Sequence, residues 1–144
     1  MNLSIRNIRI FVFYVFTPLL LGSFVSIINS EYFSNYDGIV PGFVFPIVWS
    51  ILYILMGISS YLVRDDKRLI RIYFVNLIVN LLWTFIFFMF DMKVLAFFWI
   101  LLLIVIVGIM IYEFYKKNKV AAYLLIPYLL WLIFASILNL LQII

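Results

Sequence analysis

PGFVFPIVWSILYILMGISSYLV, residues 41–63, runs for 23 residues without one charge, and RDDKR, residues 64–68, ends it abruptly. About 20 mainly apolar residues in a helix cross a hydrocarbon core of about 30 Å. A helix satisfies its own backbone hydrogen bonds, which lipid cannot do for it. The stretch therefore predicts a membrane-spanning helix with a solvated turn behind it. Four more stretches of this kind flank it. The full set is Ile10–Ser30, Gly38–Val63, Ile72–Phe90, Val94–Tyr112 and Val120–Ile144.

The fold class follows as an all-α integral membrane protein, a bundle of five transmembrane helices. The helices are expected over about 8–29, 43–63, 69–90, 94–115 and 120–141, in one domain spanning 1–144. With 144 residues, 69% of them hydrophobic, and a mean hydropathy of +1.27, lipid must cover much of the surface. Arg6 and Arg9 before an apolar run look like a signal peptide. The run is long and no small-x-small cleavage site follows, so it is read as the first span.

Five spans put Arg6, Arg9, Arg64, Lys67, Arg68, Arg71, Lys116, Lys117 and Lys119 on one side and Lys93 alone on the other. The positive-inside rule then predicts a cytoplasmic N-terminus and an outer C-terminus; the membrane is expected to be a bacterial cell membrane. The basic charge faces anionic lipid and calls for no nucleic acid. Cysteine and histidine are absent, which excludes disulfides, imidazole acid–base chemistry and the usual haem and zinc ligands. No metal site and no catalytic residue are expected. Asp, Glu, Lys and Arg are also missing from the depths of the spans, which argues against ion-coupled transport.

The deep polar residues fall at helical spacing. Asn76, Asn80, Trp83 and Thr84 share one face of the third span. Trp49, Tyr53, Gly57 and Ser60 share a face of the second. Tyr128, Trp131, Ala135, Leu138 and Asn139 do so in the fifth. Such faces either bond neighbouring helices and fill the core, or line an aromatic pocket for a large flat apolar ligand. Pro18 and Pro127 are expected to kink the first and fifth spans. Gly22 and Ser26 form a small-xxx-small pair suited to close helix contact. Tyr32, Phe33 and Tyr36 crowd the longest connection, Ser30–Pro41, as an interfacial aromatic belt or a lid over the bundle mouth.

Three blocks carry a family resemblance. They are V-W-x-x-L-Y-x-x-M-G from Val48 to Gly57, Asn80-Leu-Leu-Trp83 with Phe87-Phe88, and P-Y-x-x-W-x-x-F-A-x-x-L-N from Pro127 to Asn139. In type and order they resemble the TspO/MBR family, the tryptophan-rich sensory proteins and the mitochondrial translocator protein. The resemblance implies a five-helix bundle, often a homodimer, with a pocket open toward the long first loop. It implies porphyrins and drug-like aromatic molecules as ligands, with no required cofactor. Carried onto this chain, the pocket would use Trp49, Tyr53, Asn80, Trp83, Trp131 and Ala135, with Phe87 and Tyr128 beside them. The family's loop run K-P-x-W-x-P-P is missing here, and Tyr32, Phe33 and Tyr36 take the aromatic role. The implied function is a membrane receptor, sensor or carrier for tetrapyrroles. A light- or oxygen-dependent porphyrin-degrading enzyme and a passive small-solute transporter are the alternatives.

Overall fold

Apolar runs of this length become seven helices in the computed structural model, which describes residues 4–144. They are α1 (Ile5–Ile28), α2 (Ser30–Ser34), α3 (Val44–Leu62), α4 (Lys67–Thr84), α5 (Lys93–Lys117), α6 (Lys119–Leu124) and α7 (Ile126–Leu141). A π turn, Phe85–Met89, extends α4. Five segments are long and apolar enough to span a membrane: α1, α3, α4 with its π turn, α5, and α6 with α7. The shortest is α3, with 19 residues. At 1.5 Å per residue it is about 28 Å long, just enough for a hydrocarbon core.

The spans form a closed ring. α1 lies along α3, α3 against α6 and α7, these against α5, α5 against α4, and α4 returns to α1. Consecutive helices α3 and α4 are therefore not close neighbours; they face each other across the interior.

Lipid tails are as apolar as leucine, so helices in a bilayer associate through close packing and hydrogen bonds. The α1–α3 seam shows the first. Gly22 leaves room for the Tyr53 ring, and a side chain there would overlap it. A Cβ at Gly57 would lie 2.6 Å from the Val15 Cα and 2.7 Å from the Tyr14 carbonyl oxygen. That carbonyl is the one whose helical donor Pro18 removes. α1 nevertheless continues through Pro18, and the Thr17 hydroxyl donates to the Phe13 carbonyl at 2.6 Å beside it. Gly22 of the first span thus serves packing within the chain.

Elsewhere hydrogen bonds join the ring. Ser59 donates to the Ala121 carbonyl (2.7 Å), tying α3 to α6, and Trp99 Nε1 donates to the Val79 carbonyl (2.8 Å), tying α5 to α4. Asp66 caps α4 by accepting from the amides of Arg68 and Leu69. Asn118 caps α6 through Ala121.

Besides the short α2 within the first connection, two details differ from a plain five-helix reading. The fifth span, expected as one helix over 120–141, breaks at Leu125 into α6 and α7. Pro127 cannot donate to the carbonyl one turn back, so the chain tightens there, with the Leu125 amide on the Ala122 carbonyl at 3.1 Å. The third span ends in the π turn, closed by the Phe90 amide on the Phe85 carbonyl at 2.8 Å. Asp91 then reverses the chain at φ 53°, a left-handed conformation that Asp tolerates. Lys93 completes the turn: its Nζ reaches the Phe87 carbonyl and the Asp91 carboxylate, both at 3.1 Å, and lies 3.7 Å from the Phe87 ring centre. The one basic residue opposite the other nine is thereby occupied in capping a helix C-terminus, where a cation is favoured.

Candidate functional site

Helical spacing turns Tyr53 of α3, Asn76 and Asn80 of α4, and Tyr128 of α7 into the ring, and there they form one hydrogen-bonded chain. Tyr53 donates to Asn80 Oδ1 (2.8 Å), Asn80 Nδ2 donates to the Tyr128 hydroxyl (2.9 Å), and Tyr128 donates to Asn76 Oδ1 (2.7 Å). All four side chains are buried. The chain crosses the interior from α3 to α4 and from α4 to α7. An unpaired buried polar group is costly, so the network fixes the rotation of three helices at once. Both ends of the Asn80 amide are engaged in it. In this structure Asn80 is a crossbeam of the bundle.

On the side of this crossbeam toward α2 lies a cavity of about 200 Å³ between α1 and α3. Trp49 and Tyr53 form one wall, their rings stacked 5.6 Å apart at 27°. Gly22 and Ser26 form the α1 side, Thr84 reaches in from α4, and Phe33 and Pro46 close the end toward the first loop. A second space of about 510 Å³ lies beyond, under the loop. Ser26, Phe33 and Pro46 border both, so Phe33 and Pro46 are the partition.

The rest of the upper ring is filled with aromatic side chains. Phe33 packs edge-on to Phe88 (4.6 Å), and Tyr36 packs on Phe45 (5.2 Å) and Phe88 (5.7 Å). Phe45 touches Phe88 (5.3 Å) and Trp131 (6.1 Å), and Trp83 stacks on Phe87 (5.0 Å). Edge-to-face and offset contacts of this kind stabilise by about 0.5–1.5 kcal/mol each beyond their area. Two of the three loop aromatics are therefore inserted in the bundle. Burial, and after it the charge of Asp37, raises the Tyr36 phenol above its ordinary value. Tyr32 stays outside, exposed at the rim.

The residues singled out in the sequence separate into distinct places. Trp49 and Tyr53 line the cavity. Asn80 and Tyr128 belong to the crossbeam beneath it, with Trp49 edge-on to Tyr128 at 6.0 Å. Trp83, Phe87 and Ala135 are buried in the core. Trp131 is half-buried on α7, between Phe45 and Phe134 and away from the cavity wall. The Nε1–H groups of Trp83 and Trp131 are buried without an acceptor among the described residues. Sequence reasoning missed Phe45 and Pro46, which have no polar atom to mark them, and the lining hydroxyls of Ser23 and Ser50. Thr84 was visible on the face of Asn80.

These features define a polytopic membrane protein with a ring of five spans around an aromatic-walled interior. The family described as TspO/MBR matches residues 13–143, and the chain belongs to that family. Among similar proteins, the "Tryptophan-rich protein TspO" of Archaeoglobus fulgidus is 35% identical over 104 residues, covering 69% of this chain and 67% of that one. The protein of the same description from Chlorobaculum tepidum is 32% identical over 106 residues, covering 69% and 67%. The "Tryptophan-rich sensory protein" of Cereibacter sphaeroides is 29% identical over 102 residues, covering 69% and 65%.

Proposed function

We propose that this membrane protein is a receptor or sensor, or a carrier, for porphyrins and other flat aromatic molecules. The observation that carries the reading is the stacked Trp49–Tyr53 wall facing the cleft between α1 and α3. A porphyrin face stacks on indole and phenol rings. The unpaired N–H groups of Trp83 and Trp131 offer donors to ligand acceptors once the plug shifts. Without histidine or cysteine the chain lacks the usual axial ligands for haem iron, so metal-free porphyrin should bind at least as well.

Size sets a condition. Sites for drug-sized ligands enclose roughly 300–1,000 Å³, and the inner cavity holds about 200 Å³. Uptake of a tetrapyrrole therefore requires Phe33 to swing away and join the inner cavity to the 510 Å³ space under the loop. The first loop acts as a lid whose inserted aromatics, Phe33 and Tyr36, exchange bundle contacts for ligand contacts. The name of the Cereibacter sphaeroides relative favours sensing over catalysis, and the cavity wall carries no Asp, Glu, His, Lys or Cys to move a proton. We place the protein in a bacterial cell membrane with nine of its ten basic residues in the cytoplasm. A homodimer is compatible with the exposed apolar face of α1.

The test is a tryptophan-fluorescence titration with protoporphyrin in detergent. Saturable quenching is expected, and Trp49→Ala should weaken it by about two- to tenfold, the value of one aromatic stack. Unchanged affinity in folded Trp49→Ala protein overturns this site. Breakdown products under illumination would mark the enzyme alternative, and flux of the free solute into liposomes the transporter alternative.

A further inference from the structure

At the basic end of the bundle, α1 and the α3–α4 turn border an open groove of about 470 Å³, lined by Arg9, Ile10, Phe13, Tyr14, Arg64 and Asp65. We infer that this groove holds the headgroup of one anionic glycerophospholipid, with its phosphodiester between Arg9 and Arg64 and an acyl chain along Ile10 and Phe13.

The Arg64 guanidinium is held in place. Its Nη1 donates to the Tyr61 carbonyl at 2.9 Å, and its carbon lies 4.0 Å over the Tyr61 ring. That ring is itself braced by Phe11 (5.1 Å, edge-on) and Tyr14 (6.3 Å) from α1. Guanidinium carries five N–H donors in a fixed plane. One is spent on Tyr61, and the rest keep a set direction before any ligand arrives, so little entropy is lost on binding. Neither Arg64 nor Arg9 forms an ion pair among the described residues, whereas Arg68, Lys93 and Lys116 each do.

The charge count selects the ligand. Two arginines against Asp65 leave one net positive charge, which suits the single negative charge of a phosphodiester. Asp65 weighs against a more highly charged anion. The groove also stands where a headgroup would be: Arg9 and Arg64 lie at adjacent ends of two spans, and the aromatic floor continues down α1 toward the hydrocarbon. Basic residues near an anionic membrane surface attract it generally. What distinguishes this place is that two of them share a groove and one is already oriented.

The full chain in detergent, titrated with phosphatidylglycerol and read by native mass spectrometry, should take up one lipid preferentially, and phosphatidylcholine should not compete. Arg64→Gln and Arg9→Gln should each weaken that first binding by about fivefold, the worth of one basic residue at an anionic surface. Arg9 lies exposed near the start of α1 without a hydrogen-bond partner, so its variant tests the site even if Arg64→Gln unfolds. Arg71→Gln and Lys117→Gln, outside the groove, should change it by less than about twofold. Equal losses in all four variants would mean diffuse surface charge and overturn the proposal. Equal binding of phosphatidylcholine would do the same, as would displacement of the lipid by inorganic phosphate.

Discussion

Replacing Asn80 by Ala removes the centre of the crossbeam, and its cost can be worked from the geometry. Two interhelical hydrogen bonds disappear, from Tyr53 and to Tyr128. Such bonds average about 0.6 kcal/mol each in a membrane. Tyr128 keeps Asn76 as its acceptor, but the Tyr53 hydroxyl is left buried with no partner. That costs a further 1–3 kcal/mol or so. The expected loss is about 2–4 kcal/mol, read by reversible unfolding in mixed detergent micelles. A double-mutant cycle isolates the mechanism. Tyr53→Phe alone strands Asn80 Oδ1, while Tyr53→Phe with Asn80→Ala strands neither. The double variant should therefore be more stable than the sum of the single losses by about 1–2 kcal/mol. Protoporphyrin affinity per folded molecule should change by less than about twofold in Asn80→Ala, because its amide is already engaged. Additive losses, or a loss under about 0.5 kcal/mol, would refute the crossbeam. A large affinity loss at unchanged stability would instead place Asn80 in direct contact with ligand.

Phe33→Ala removes the partition between the two spaces, so stopped-flow quenching should show faster protoporphyrin association; an unchanged or slower rate would rule out Phe33 as the gate. Gly57→Leu drives a side chain into the α1 backbone and should detach α1 from α3, seen as faster proteolysis at the first loop, while Gly108→Leu, which meets open space on α5, should be silent. Lys93→Met removes the cap on the π turn and should raise amide exchange at Phe90 and Met92 without altering α3. Reporter fusions after Ile144 should respond outside the cytoplasm, and a cytoplasmic signal would reverse the proposed orientation.

The span count and ring-facing sides were legible in the sequence because lipid imposes a simple rule: a helix must be about 20 residues long and uncharged, and its few polar residues must turn inward. Asn76, Asn80 and Trp83 at helical spacing announced the inner face of α4. Val48–Gly57, Asn80–Trp83 and Pro127–Asn139 announced the family. What these faces meet depends on how five helices are ordered around a ring, and local periodicity carries no information about that. Only the tertiary structure brings Tyr53 to Asn80, 27 residues away, and Asn80 to Tyr128, 48 away. It joins Asn80, a candidate ligand contact, to both tyrosines in the crossbeam and sets Trp131 against Phe45, outside the lining of the Trp49 wall. It also shows that Phe33 and Tyr36 are inserted among Phe45 and Phe88 while Tyr32 is not, a division that depends on the path of the loop. The sequence determined that the chain lives in a membrane, because burial in lipid is a property of each segment. The cavity was decided only by packing, because a space lined by α1, α2, α3 and α4 together belongs to no single segment.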